Sequence, residues 1–334
     1  MKDDSSQLRW RLRQVGLSDP AINAAWPAWW SDAAEPSASA QTELRFSLAR
    51  KLGLDPRSLL ADGEQPRFIW RDEARFKHLS GESSLEMSAI TSFGTALGRY
   101  LIAATTASPV AAGWSSASLR SAILRHQPYV RLEDLLVTCW SLGIPTIHLR
   151  IFPGERKRMS AMAVRVGSRT AILLCRDSRF PPRLTFYLAH ELGHIALGHL
   201  SQRPVLVDLD DSDLPSPDGD PEEVAADRFA LELLTGRSEP KVLPKGAYNA
   251  RELARVALEA SGGLRIEPGT LALCFGYSTG DWATASAALQ RIYLKPQSVW
   301  EVVNQVARHE LDLDLIPDDA RAYVDAVLGP DDSA

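Results

Sequence analysis

The chain has 334 residues, 45% of them hydrophobic and 24% charged, with a net charge of -5, which allows one sizeable core or two modest domains of ordinary soluble composition. Residues 1–130 hold 15 basic and 13 acidic side chains and the remainder 22 and 29, so neither half is the basic footprint of a general nucleic-acid binder. Cys139, Cys175 and Cys274 are too few and too scattered for a disulfide framework or a thiolate zinc knot, while a polar start and no run near the roughly 18 apolar residues of a membrane span lead us to expect a cytoplasmic protein without a membrane partner.

Helices are predicted at 7–15, 20–26, 38–52 and 56–60, which makes residues 1–65 an N-terminal helical domain. Arg9, Arg11 and Arg13 around Trp10 suit phosphate contact or stacking on a base, and a packed docking module with an exposed edge accounts for them equally well. Residues 66–127 form a helical lead-in, with helices at 83–107 and 116–126. A further amphipathic helix at 132–142 precedes strands at 146–152, 159–166 and 170–175, with Gly154 and Gly167-Ser168 supplying the turns. Cys175 ends the last of these strands. It is either a buried core residue or a thiolate able to close a metal's open position as a latency switch.

Pro181-Pro182 then ends a polar loop, and 184–200 reads as one helix with Leu184, Leu188, Leu192 and Ile195 on one side. It carries His190-Glu191-Leu192-Gly193-His194. Four residues make just over one helical turn, so His190 and His194 can share one metal ion while Glu191 lies beside it as a general base. Zinc in a catalytic site takes three protein ligands and leaves one position for water, so a third ligand is required. A metzincin-type extension needs Gly at position 197 and His at position 200, whereas the chain has Leu197, Gly198, His199 and Leu200. His199 is therefore expected near the helix C-terminus, where it complements exposed carbonyls.

The better third ligand follows an acidic loop containing Asp208, Asp210, Asp211, Asp213, Asp218 and Asp220. That loop lacks the ligand order of an EF-hand and reads as a solvated segment. Asp220-Pro221 is a helix start, and in the helix that follows Glu223, Ala226, Asp227, Ala230 and Leu234 share a face. Glu223 is the candidate ligand, and Asp227 the candidate acceptor for the free N–H of a liganding imidazole. Two other readings stay open: Glu223 closing a capping box, or Glu222 facing inward. Helices at 251–260, 268–273, 281–292 and 297–309 complete the chain, and no internal repeat, phosphate-binding loop or serine triad is found.

The run Leu184 to His194, followed by Glu223, Ala226, Asp227, Phe229, Ala230, Leu233 and Leu234, resembles the ImmA/IrrE family of gluzincin-like zinc metallopeptidases over about residues 130 to 290. Asp227 stands where that family commonly has Asn, and Thr235-Gly236-Arg237 replaces its usual Met-Pro. The segment Leu48 to Leu60 is similar to the closing helices of repressor-type helix-turn-helix domains, whose recognition helix would fall at Ala25 to Trp30. A proline among three tryptophans suits that role poorly.

The resemblance implies an intracellular Zn2+ endopeptidase (HExxH, gluzincin type) that makes limited, regulated cuts in a protein partner, a helix-turn-helix repressor, during a stress or mobile-element response. The expected fold is α+β and mostly helical, with a small three- to four-stranded sheet packed on the zinc helix. Its parts are a 1–65 helix-turn-helix-like or docking domain and a 66–334 peptidase domain, the latter with a catalytic core at 128–292 and a C-terminal helical segment at 293–334. Metal ligands are His190, His194 and Glu223, Glu191 is the catalytic base, Asp227 steadies an imidazole, and Tyr187, Tyr248 and Tyr277 are unranked candidates for an oxyanion donor. Substrate is expected to pair as a strand with a sheet edge beside the metal. The alternative is a DNA-binding or docking transcriptional regulator, contacting DNA through its N-terminal region, whose metal site is structural or inactive.

Overall fold

Two apolar strands, β3 (Met159–Val166) and β4 (Arg169–Leu174), pair antiparallel and organise the molecule. Their near-continuous hydrophobic runs are those of strands buried on both faces. The computed structural model describes residues 5–61, 63–70, 74–76, 84–110, 113–154, 159–201, 204–209, 220–239, 241, 243, 248–295 and 298–330. Beside β4 lies β2 (Thr146–His148), in parallel; on the other side β5 (Val205–Leu209) pairs antiparallel with β3, and β1 (Ala74–Phe76) runs parallel to β5, so the order is β1-β5-β3-β4-β2. The mostly helical α+β class agrees with the sequence reading, but the sheet has five strands. β1 spans only three residues and β5 abuts the aspartate run, so neither offers enough alternation to register as a strand. Asp210, Asp211, Asp213 and Asp218 of that run lie outside the described residues.

Alternation along the strands divides the interior in two. Met162, Val164, Leu173 and Cys175 join one core, and Ala161, Ile172 and Leu174 join the other. The first core is filled by α1 (Ser5–Gln14), α2 (Asp19–Ala25), α3 (Ala38–Leu52), α4 (Pro56–Leu60), α5 (Ser84–Ala103) and, from the far end of the chain, an unexpected α14 (Asp318–Leu328). Leu8, Leu48, Leu52, Phe93, Tyr323 and Val324 meet there, so the N-terminal helices pack into a core shared with the sheet.

Lys51 carries this junction in polar form. It is 1% exposed, and its Nζ donates to Asp319 Oδ1 at 2.5 Å and to the Ala25 carbonyl at 3.0 Å, while Ser47 donates to Asp319 Oδ2 at 2.6 Å. Burial lowers the Lys51 pKa and Asp319 opposes that shift. Removing one partner of such a pair strands the other charge away from water. Asp319→Ala is expected to destabilise the fold by about 3 kcal/mol, read as a lower midpoint in urea, with Ser47→Ala much milder.

The position expected for a recognition helix holds none. Proline disfavours helical backbone in the residue before it, and α2 ends at Ala25 with Trp26 extended (φ -68°, ψ 125°) ahead of Pro27. Trp26 and Trp30 pack edge to face with centroids 6.4 Å apart. The three arginines are engaged within the chain: Arg9 lies 3.8 Å over the Trp26 ring, Arg11 donates to the carbonyls of Ser58, Ala61 and Glu64, and Arg13 pairs with Asp19 at 2.6 Å.

On the other face of the sheet sit α7 (Leu132–Ser141), α8 (Pro181–Ala196) and α9 (Pro221–Thr235), joined by Leu135, Leu136, Leu188, Leu192, Leu233 and Leu234. The short α6 (Ser116–Leu124) flanks α9. A third, smaller core unites α10 (Ala250–Leu264), α11 (Pro268–Thr279) and α12 (Trp282–Ile292), and α13 (Val299–Glu310) closes the β2 edge. No helix among the described residues is long and apolar enough to cross a membrane.

Candidate metal centre

The first motif helix starts earlier and stops earlier than the sequence suggests. Proline needs no hydrogen-bond acceptor in a first turn, and Pro181 and Pro182 open α8, with Thr185 Oγ1 donating back to the Pro181 carbonyl at 2.9 Å. Its far end comes at Ala196, because Gly198 adopts φ +77° and a short 3-10 turn, His199–Ser201, follows. Every residue from Leu188 to His194 is buried, so the ionisable groups of this stretch sit inside the protein.

Opposite, Asp220 caps α9 by accepting from the Glu222 amide at 3.1 Å, with Pro221 in the first turn. Glu223 therefore points across to α8. Its Oε2 lies 3.2 Å from His190 Nε2 and 3.5 Å from His194 Nε2, and the two Nε2 atoms are 2.9 Å apart. This places Glu223, rather than Glu222, at the histidines. Asp227, one turn further along, meets His190 Nδ1 at 2.8 Å with its Oδ1. Glu191, 1% exposed, follows His190 on the same helix.

Close packing of the two helices sets these distances. A methyl group in place of the Gly193 hydrogen would stand 3.1 Å from both Cα and the carbonyl oxygen of Ala226 and 3.2 Å from Phe229 Cβ. The small residues Gly193 and Ala226 thus let the backbones approach, and Glu223 arrives with them. Gly193→Val forces α9 away. The expected result is a destabilisation of about 2 kcal/mol together with weakened metal binding, and an unchanged metal affinity would show that the helix spacing does not hold the site.

The far end of α9 is clamped as well. Arg120 donates to the carbonyls of Leu233 at 3.1 Å, Leu234 at 2.7 Å and Arg265 at 2.7 Å, and Ser116 donates to Glu232 Oε2 at 2.6 Å. Gly236 at φ +77° ends the helix in a left-handed cap. The Thr235-Gly236-Arg237 sequence is thus a glycine-capped terminus whose last carbonyls are met by Arg120.

Among the described residues, His190, His194 and Glu223 form a group that could hold a metal ion, with one ligand atom of each lying within 4.8 Å of the others. The geometry supports that reading. A tetrahedral ion with bonds of about 2.1 Å separates its ligand atoms by roughly 3.4 Å, and the separations here are 2.9, 3.2 and 3.5 Å. Burial pushes His194 below its ordinary pKa, which favours the neutral ring. Burial alone would raise the Glu223 carboxyl, but the two imidazoles hold it well below the carboxylate range.

One sequence expectation is corrected here. Cys175 packs in the core on the face of the sheet away from α8 and donates to the Leu173 carbonyl at 3.4 Å, because odd-numbered β4 positions face that side; the latency switch has no geometric basis. At the β2 edge the backbone of His148 is already paired within the chain. There Asn304 accepts from the backbone N–H at 2.7 Å and donates to the His148 and Leu328 carbonyls at 2.8 Å, standing in for a neighbouring strand.

Of the three tyrosines, Tyr277 is linked to the site through Phe186, with centroids 5.2 Å from Phe186 to Tyr277 and 6.3 Å from Phe186 to His190. Burial raises its phenol well above the usual range, and the Asp227 charge adds to that, so it stays a protonated hydrogen-bond donor. Tyr248 packs on Phe275 in the third core, and Tyr187 is partly buried in the core around α8. The sequence reading also missed a contact: His199 Nδ1 lies 2.8 Å from His194 Nδ1. No protein-family model matches the chain, and no curated protein or solved structure does so either.

Proposed function

We propose that this protein is a zinc-dependent endopeptidase, similar to the ImmA/IrrE family, that makes limited cuts in a protein partner, a helix-turn-helix repressor. One observation carries the reading: two imidazoles from one helix and a carboxylate from another converge, and a second buried carboxylate, Glu191, follows His190 on the same helix. His190, His194 and Glu223 would hold the ion. Two nitrogens and one oxygen suit zinc, whose bound form lowers the pKa of water and polarises a peptide carbonyl. The chain's own residues supply the rest. Glu191 takes the proton of the attacking water and passes it to the leaving amine. Asp227 accepts the His190 Nδ1 proton, which fixes that ring with the Nε2 lone pair toward Glu223 and His194.

The test is incubation of the zinc-loaded protein with a helix-turn-helix repressor encoded beside it. The expected outcome is one or a few discrete fragments that disappear when a chelator is added and return with zinc. An intact repressor, with zinc bound and the repressor's DNA released only by complex formation, would overturn the endopeptidase reading in favour of a docking regulator.

A further inference from the structure

The contact between His194 and His199 has a consequence for which proton each ring carries. The two Nδ1 atoms are 2.8 Å apart, and two neutral imidazoles at that distance hold one proton between them, so one ring donates and the other accepts. The His194 Nε2, on the opposite side of the same ring, lies 2.9 Å from His190 Nε2. If His199 donates, the His194 proton sits on Nε2 and blocks the position a metal needs. If His199 accepts, His194 carries its proton on Nδ1 and turns a lone pair toward His190 and Glu223.

We infer that His199 is a positioning residue that accepts the His194 Nδ1 proton and thereby makes His194 a metal ligand, as Asp227 does for His190. The inference rests on the metal reading above and adds to it. The two imidazoles are then held by unlike acceptors, a carboxylate at 2.8 Å for His190 and a neutral ring at 2.8 Å for His194. With the His194 proton on Nδ1 and the His199 proton on Nε2, each ring keeps its one proton and the pair loses none when an ion binds. Backbone geometry supports this role: α8 stops at Ala196, Gly198 turns the chain at φ +77°, and that reversal brings the ring five residues after His194 back against it. A side chain at position 198 would strain that turn.

The experiment compares zinc affinity, by competition with a chelating indicator, across His199 variants of the full chain, with imidazole 15N spectra of the zinc-loaded wild type. Asn and Asp retain an acceptor near the position of Nδ1, and Leu fills space without one. His199→Leu and His199→Ala should lower affinity about 10- to 100-fold, while His199→Asn and His199→Asp should stay within a few-fold of wild type. The spectra should show His194 protonated at Nδ1 and His199 unprotonated there. Gly198→Val, which keeps both rings in the chain but strains the turn that brings His199 against His194, should weaken binding in the same direction as His199→Leu.

Equal affinity across all four His199 variants would overturn the role of His199 while leaving the metal site standing. Loss of zinc in the Asn and Asp variants as well would make His199 a ligand and overturn the inference in the other direction. A wild type that binds no metal would instead remove the proposed function on which the inference rests.

Discussion

Glu191→Gln is expected to bind as much zinc as the wild type and to lose cleavage by about two to four orders of magnitude. Glutamine matches the shape of Glu191 and fills the same buried space next to His190, so neither the α8 packing nor the imidazoles should move. What disappears is the capacity to accept a proton, since an amide is not a base near neutral pH. The measurement is metal content alongside the rate of repressor cleavage for the two proteins. Retained cleavage would exclude Glu191 as the base, and a parallel loss of zinc would mean that the residue acts on the site's structure.

Glu223→Ala is expected to have the larger effect on the metal. The carboxylate is one of three groups in the cluster and the one supplied by α9, so its removal leaves two imidazoles on one helix, an incomplete set for a catalytic zinc. Zinc affinity should fall by more than the 10- to 100-fold that loss of an outer hydrogen-bond partner produces. Glu222→Ala, one residue away, should leave affinity close to wild type, and that contrast separates a ligand from a general loss of negative charge at the α9 N-terminus. If the two variants behaved alike, the assignment of Glu223 would fail.

How much of this was readable from the chain follows from the range of each interaction. His190, Glu191 and His194 sit on one helix, where a four-residue spacing fixes the relative positions of the side chains, so their convergence was legible from spacing alone. Glu223 and Asp227 were legible because Asp220-Pro221 marks the start of α9 and sets the phase of its inward face. The groups that support the site were not. His199 depends on a positive φ at Gly198, the Arg120 clamp spans more than a hundred residues, and Asn304 reaches β2 from α13. None of these has a local pattern to betray it. β1 fails to register for want of length and β5 because it runs into the aspartates, and the doubled proline of α8, which suggests a loop end, opens the helix.

X-ray absorption at the zinc edge of the purified wild-type protein tests the central claim most directly. The account predicts one bound zinc surrounded by imidazole nitrogen and carboxylate oxygen at about 2.0–2.2 Å, with no sulfur neighbour at about 2.3 Å. Protein that takes up no zinc, or zinc with a sulfur ligand, would contradict a site built from His190, His194 and Glu223.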